Sequence, residues 1–494
     1  MAFLKNLKTP EKFFLACISF IFTLLRIPSL VEPYWYGDEG IYQVIGMALR
    51  AGRVLYEGTW DNKPPILYLI YALVNGDQFW ARFLSLIFGI GAVVAFYFLA
   101  KKLFTKPAVL YATTILFAVL FGIPLLEGNI ANAENFMLFP TIMAMNFIFS
   151  AKQSYQLRYY IFAGLLLSFS FLIKIVAIFD VAAVFFISLI LGIYDTQINK
   201  MRDVFSIPFF KTCVAIIKKE LTVGVFFMLP IIITILYFVA IQKFEDFWMA
   251  AFSQNIGYVA YGNQFLIPNG LLYIKLIFLA FALLVIARFR KTLAPSGVFI
   301  FVWLAFSLYS AFFSERPYTH YLLVVLPAIC LFVGYIFENK KIAKISGPLL
   351  VVILFLLWSN FHLYKKIVPY YENYISFIMN GKSVESYQSF FDRNTPRDYK
   401  LAHFIATKTS AHENVFIWGD SGQIYALAGK IPPGRYIVAY HITFYKQAVE
   451  ETQRAIEKSN PKYIIVIKKG DEVDPLLTSY SLRYKIEDAY VYEK

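Results

Sequence analysis

The chain has 494 residues, 59% of them hydrophobic and only 16% charged, with a mean hydropathy of +0.59. Soluble domains run nearer to about 45–50% apolar and about 25% charged, so a soluble globular protein is excluded and a membrane-embedded one is expected. A net charge of +14 would point to nucleic acid in a soluble chain. Here the Lys and Arg residues sit in short loops between apolar runs, so they report topology and no nucleic-acid partner is expected.

The first apolar run, Phe13 to Val31, follows Lys5, Lys8 and Lys12. Its length and the lack of a small-x-small cleavage site make it an uncleaved anchor. Ten further candidate spans follow near 82–100, 107–126, 134–150, 159–174, 176–193, 221–241, 271–288, 296–313, 319–337 and 345–361, about eleven in all. The run "PPILYLIYALVNG" is too short to span and opens on two prolines, which predicts an interfacial helix. The three cysteines, Cys17, Cys213 and Cys330, share no spacing that suggests a disulfide framework or a Cys metal site.

With the N-terminus cytoplasmic, every second loop should be basic. The N-terminal segment and the loops holding "KKLFTK", "KQSYQLR", "MRDVFSIPFFKTCVAIIKKE", "RFRK" and "ENKKIAK" carry about nineteen Lys and Arg and obey this rule. Loops 32–81, 127–133, 242–270 and 314–318, and everything after 362, then lie on the outer face. The expected organisation is a membrane domain over 1–362, a connector over 363–394 and a small extracytoplasmic α/β domain over 395–494. In that last part "NVFIWG", "GRYIVA" and "KYIIVIKKG" read as strands, separated by helical patterns such as "TFYKQAVEETQRAIEKS".

The outer loops carry the unusual chemistry. "YWYGDEGIYQ" sets Asp38 beside Glu39, followed by a helical pattern that Gly52 stops. Asp38 as a helix N-cap is the plain reading, and it leaves Asp61 and Lys63 of "DNKPP" unexplained. The two prolines favour an extended Lys63, which would hold its ammonium group facing the carboxylates. "LEGNIANAEN" carries Glu127 and Glu134, and for Glu127 an ordinary polar turn is the simpler reading. Lys174 sits between two apolar runs, where it is either functional or snorkels to the interface. "SERPYTHYLLVVLP" groups Arg316, Tyr318, His320 and Tyr321, which suits an anion.

One carboxylate pair with several cations fits transfer of a sugar from a lipid phosphate. Phosphate is already a good leaving group, so cations must hold its growing charge, and the acceptor hydroxyl needs one base. A glycosidase would instead need a protonated second carboxyl.

At these residues the chain resembles the GT-C superfamily of polyprenyl-phosphate-sugar glycosyltransferases, in its protein O-mannosyltransferase and aminoarabinose transferase branch, including bacterial members. The resemblance covers residues 10–340 through "DE", "LYEGTWDNKPP", "ARFLSLIFGIGAVVAFYFLAKKLF", "NAEN", "LIK" and "RPYTHYLLVVLP", in that order. It extends to "VFIWGDSGQIYALAGKIPPGRY". It implies an inverting transferase with Asp38 as catalytic base and Glu39 as its catalytic neighbour. It implies Lys63, Arg316, His320 and Tyr321 at the donor phosphate, with Glu134, Asp61, Lys174 and Tyr318 as further site residues. The implied donor is a polyprenyl-phosphate sugar, and the acceptor a lipid, glycan or protein, with the enzyme multi-pass in the inner or plasma membrane. Aminoarabinose transferases have a metal-binding His and acid near this site. Here His320 is the sole histidine in the outer loops of the membrane domain, so no metal ligands are assigned and a divalent metal stays open. The missing middle-loop domain of protein mannosyltransferases puts a protein acceptor in doubt.

The rival reading is a transporter or flippase for a lipid-linked or polar solute. Such proteins place ionisable residues near the midplane on broken, repeated helices. Here no repeat is evident and the charges cluster in outer loops. A non-catalytic polysaccharide-assembly scaffold is the third alternative.

Overall fold

A computed structural model of the chain describes residues 8–153, 156–194, 207–256, 270–314, 316–445, 447–467, 470 and 472–494. Parts of the expected loops, notably 257–269, 195–206 and Glu315, lie outside the described residues.

The eleven expected spans each contain an α-helix, that of 319–337 only after a 3₁₀ turn over Thr319–Val324. They are α1 (Thr9–Val31), α4 (Gln78–Leu103), α5 (Pro107–Gly122), α6 (Ala133–Gln153), α7 (Leu157–Ile173) and α8 (Ile178–Gly192), followed by α9 (Ile207–Ala240), α10 (Gly270–Arg288), α11 (Arg290–Phe312), α12 (Leu326–Glu338) and α13 (Lys340–Asn360). Two short helices, α2 (Gly37–Arg50) and α3 (Pro65–Leu73), lie between α1 and α4. Seven of the described helices are long and apolar enough to cross a membrane. Helices α5, α7 and α12 are apolar but shorter. At 1.5 Å per residue α5 reaches about 24 Å, short of a hydrocarbon core of about 30 Å. Helix α6 is long enough but carries Glu134, Asn135 and Asn146, all buried inside the bundle.

The bundle packs α6 against both α4 and α7, α7 against α9, and α8 against α11. Helices α7 and α9 approach closely at Gly164, where a Cβ would stand 2.5 Å from the Val223 carbonyl oxygen. Small residues permit such backbone proximity between membrane helices. On the outward faces of α9, α10 and α13, Ile233, Leu236, Phe278, Leu284, Val351 and Phe355 are exposed. Such a belt is unfavourable in water and is explained by contact with lipid.

Beyond α13, helices α14 (Ile367–Ile378) and α15 (Val384–Phe391) lead to a small α/β unit. It comprises α16 (Thr395–Lys408), β1 (Val415–Trp418), α17 (Gln423–Leu427), α18 (Ala439–Phe444), α19 (Ala448–Ser459), β2 (Tyr463–Val466), β3 (Ser481–Ile486) and β4 (Ala489–Glu493). The sheet order is β1-β2-β4-β3, with β1 and β2 parallel and the other pairs antiparallel. "NVFIWG" and "KYIIVIKKG" supply strands as expected, but "GRYIVA" does not. Its backbone bonds elsewhere: the Arg435 carbonyl accepts from the Trp60 N–H at 2.9 Å, and the Ala439 N–H donates to the Gly419 carbonyl at 2.8 Å. The C-terminal hairpin β3–β4 fills its place in the sheet.

Candidate active site

The extended chain after α1 enters α2 through Tyr36, which occupies the N-cap position without a side-chain cap. Asp38 therefore falls inside the first helical turn, where a carboxylate is favoured by the helix dipole. The expected N-cap role is corrected accordingly. Successive helical residues point about 100° apart, so Asp38 and Glu39 face different surroundings.

Glu39 turns into the bundle. It is 1% exposed and is bound by Arg82, whose Nε donates to Oε1 at 3.0 Å and whose Nη2 donates to Oε2 at 2.5 Å. The Ala131 N–H also donates to Oε1 at 2.8 Å. Arg82 in turn contacts Glu32 at 2.8 Å and donates to the Ser29 carbonyl at 2.7 Å. Both Glu39 oxygens are engaged and Glu39 does not line the cavity described next, so its expected catalytic role is not supported. It anchors α2 to α1 and α4.

Asp38 lines a cavity of about 620 Å³. Tyr42, one turn on, donates its hydroxyl to Asp38 Oδ2 at 3.1 Å. The Lys63 ammonium sits 4.9 Å above the same tyrosine ring, within cation–π range. Tyr42 thus joins the carboxylate and the ammonium group. Pro64 is extended and Pro65 begins α3, which delivers Lys63 to this position. Lys63 also faces Asp61 at 3.4 Å and Asn62 Oδ1 at 3.4 Å.

Asp61 is 2% exposed and accepts from the Tyr68 hydroxyl at 2.8 Å. Burial pushes its carboxyl up, but Lys63, His441 and the hydrogen bonds pull it below the usual range. Burial opposes the Lys63 charge, yet Asp61, Asp38 and Glu134 outweigh it and hold Lys63 at about 12. Both stay charged at neutral pH.

A second cluster faces the first. Lys174, in the extended link between α7 and a short 3₁₀ turn, pairs with Glu134 and lies 4.4 Å above the Tyr321 ring. His320 Nδ1 stands 2.9 Å from Glu127 Oε2, and the Tyr36 hydroxyl donates to the same oxygen at 2.8 Å. His320 Nε2 is 4.0 Å from Glu134. Glu127, which the sequence reads as a plain turn residue, adopts a left-handed backbone (φ +57°) and joins this cluster. Arg316, Tyr318, His320 and Tyr321 all line the cavity, as do Asp61, Glu134 and Lys174. Of the ten sequence candidates, nine share this one cavity and Glu39 does not.

Apolar side chains line the same cavity: Ile175, Val176, Ile178, Phe179, Phe313 and Val324. The cavity is therefore amphipathic, lined by both charged and apolar side chains. The roof was not foreseen. Tyr440, His441, Phe444 and Tyr445 of the C-terminal unit line the same cavity, with His441 3.7 Å from Asp61, and "YHITFY" is the signal, an aromatic run that holds a histidine.

Among the described residues no three His, Cys, Asp or Glu side chains are grouped to hold a metal ion. Glu127, Glu134 and His320 stand together, with Tyr36 on Glu127 Oε2 and Lys174 on Glu134 Oε1. An ammonium group, not a metal, neutralises Glu134, so the residues present do not fit a metal centre.

Residues 63–217 match the family model of dolichyl-phosphate-mannose-protein mannosyltransferase. No curated protein matches the chain by sequence. Among solved structures it is similar to ArnT from Cupriavidus metallidurans bound to undecaprenyl phosphate, at 12% identity and a TM-score of 0.56, covering 98% of each chain. It is also similar to the archaeal oligosaccharyltransferase AglB from Archaeoglobus fulgidus, in complex with an inhibitory peptide and a dolichol-phosphate. There identity is 11%, the TM-score 0.48, and coverage 93% of this chain and 69% of that one. The likeness to ArnT is one of fold, and it extends over the C-terminal α/β unit as well as the membrane helices.

Proposed function

We propose that the chain is a GT-C membrane glycosyltransferase that moves a sugar from a polyprenyl phosphate onto an acceptor hydroxyl with inversion. The acceptor is an extracytoplasmic lipid glycan, cell-wall polysaccharide or protein. The N-terminus is cytoplasmic, and the membrane domain 1–362, the connector 363–394 and the domain 395–494 meet at the outer face, as the loop charges support.

The isoprenoid lies against the apolar lining residues and its phosphate among Lys63, Lys174 and Arg316. Asp38 takes the proton of the acceptor hydroxyl as that oxygen attacks the anomeric carbon. The bond from that carbon to the phosphate oxygen breaks, and polyprenyl phosphate leaves with the electron pair. Its new negative charge is stabilised by fixed cations. The phosphate needs no general acid, which agrees with Glu134 and Asp61 each facing a lysine.

The observation that carries this reading is that Asp38 and Lys63, far apart in character, share one ring and one cavity: Tyr42 bonds the first and underlies the second. Asp38→Asn keeps a group for the Tyr42 hydroxyl but removes the base. Turnover, read as release of polyprenyl phosphate from a lipid-linked sugar donor, is expected to fall by about 10²–10⁴-fold with donor binding retained. Unchanged turnover would refute the proposal.

A further inference from the structure

The C-terminal unit is seated on the loop that carries the proposed catalytic groups. Trp60 N–H donates to the Arg435 carbonyl at 2.9 Å, and Arg53 donates to the Gly434 carbonyl at 3.1 Å. Arg435 pairs with Asp246 at 3.1 Å. The Tyr34 N–H donates to the Tyr399 hydroxyl at 3.0 Å. At Gly40, one turn after Tyr36, a Cβ would stand 2.6 Å from the Gln423 backbone nitrogen, so α2 and α17 touch backbone to backbone. These contacts bring His441 over Asp61.

His441 is 5% exposed, and its ring is held edge-on by Trp60 at 5.0 Å and Tyr440 at 4.4 Å. Nε2 faces Asp61 Oδ1 at 3.7 Å, while Nδ1 is buried and has no hydrogen-bond partner among the described residues. A proton on Nδ1 would be a buried donor with nothing to bind. A proton on Nε2 points its positive end at a carboxylate, so the Nε2–H tautomer is selected. Asp61 is held by Tyr68 and Lys63 at Oδ2 and by the Asn62 backbone N–H, and His441 faces its Oδ1. With Oδ1 turned to His441, Oδ2 is presented to Lys63, and the ammonium group is kept at the cavity wall over Tyr42.

We propose that His441 is a positioning residue: from the C-terminal domain it orients Asp61, and through Asp61 it sets the Lys63 ammonium for a lipid phosphate. This rests on the proposed donor site and adds to it a dependence on a second domain. Asp38, Asp61, Lys63 and Asp420 are the charged groups that act on the ring.

The test uses the full-length protein in detergent, with undecaprenyl phosphate as the probe and its dissociation constant as the readout. Lys63→Met reports whether the lysine holds the phosphate at all. His441→Phe keeps the ring packing on Trp60 and Tyr440 but removes the N–H, and His441→Gln restores an N–H donor. Expected are a loss of about tenfold in H441F and partial recovery in H441Q. Little further loss is expected when H441F is added to K63M, because the two act along one chain of contacts. If K63M weakens binding while H441F binds as wild type, or if H441Q is no better than H441F, the positioning role is overturned and the donor site stands. If wild type and K63M bind the lipid equally, the donor site itself fails and the inference with it.

Discussion

Replacing Glu39 by Gln separates the two adjacent carboxylates of α2. Glu39 forms a bidentate pair with Arg82 at 3.0 and 2.5 Å in a place where neither side chain is more than 1% exposed. Glutamine keeps the size but removes the charge, and it turns an amide donor toward either the guanidinium or the Ala131 N–H. Breaking a buried pair by removing one partner costs about 3–5 kcal/mol, since the other charge is left uncompensated. Arg82 retains Glu32 at 2.8 Å and the Ser29 carbonyl at 2.7 Å, which places the expected loss near the low end, about 3 kcal/mol. In a thermal melt of the detergent-solubilised protein this is a fall of several degrees. Asp38 is half-buried and accepts one hydroxyl, so Asp38→Asn should leave the melting temperature within a degree or two while turnover falls by about 10²–10⁴-fold. An E39Q protein that melts like wild type, or a D38N protein that melts far lower, would refute the division of labour argued here.

Two other outcomes are expected. Burial pushes His441 from 6.5 down to about 4 despite the attraction of Asp61, so the folded protein binds fewer protons than the unfolded chain between those values. Stability is then present at neutral pH and is lost as pH falls through that window, by about 2 kcal/mol between pH 7 and pH 5. The drop in melting temperature between those two pH values should shrink in H441F, and an unchanged drop would count against it. Gly40→Ala drives a methyl group into the α17 backbone at Gln423, at a cost of about 1–3 kcal/mol. Hydrogen exchange in α17 and in Tyr440–Tyr445 should rise while exchange in α4 stays as in wild type. Equal protection throughout would mean the two helices are not in the contact described.

The membrane class and the eleven helices were legible because hydrocarbon imposes a length and a composition on each span separately, and both can be read along the chain. Lys63 was legible for a similar local reason, since two prolines restrict the residue before them. Asp38 and Glu39 looked alike in sequence. Their difference depends on the side of α2 that meets Arg82, and Arg82 lies on another helix. Glu127 looked like a turn and is one, but its carboxylate also meets Tyr36 and His320, which are remote in sequence. "GRYIVA" had a strand's composition, yet its backbone bonds the first loop instead of the sheet.

By itself, then, the amino-acid order determined the bilayer, the helix count, the charged loops and most of the polar groups that line the cavity. Each of these follows from a run of residues interacting with lipid, water or its own neighbours. Only the tertiary structure decided that Glu39 is an anchor, that Tyr42 couples the carboxylate to the ammonium group, and that the C-terminal unit closes the roof with His441. Those outcomes depend on contacts between segments about 380 residues apart, such as Asp61 with His441, and no local pattern encodes the facing partner of a side chain.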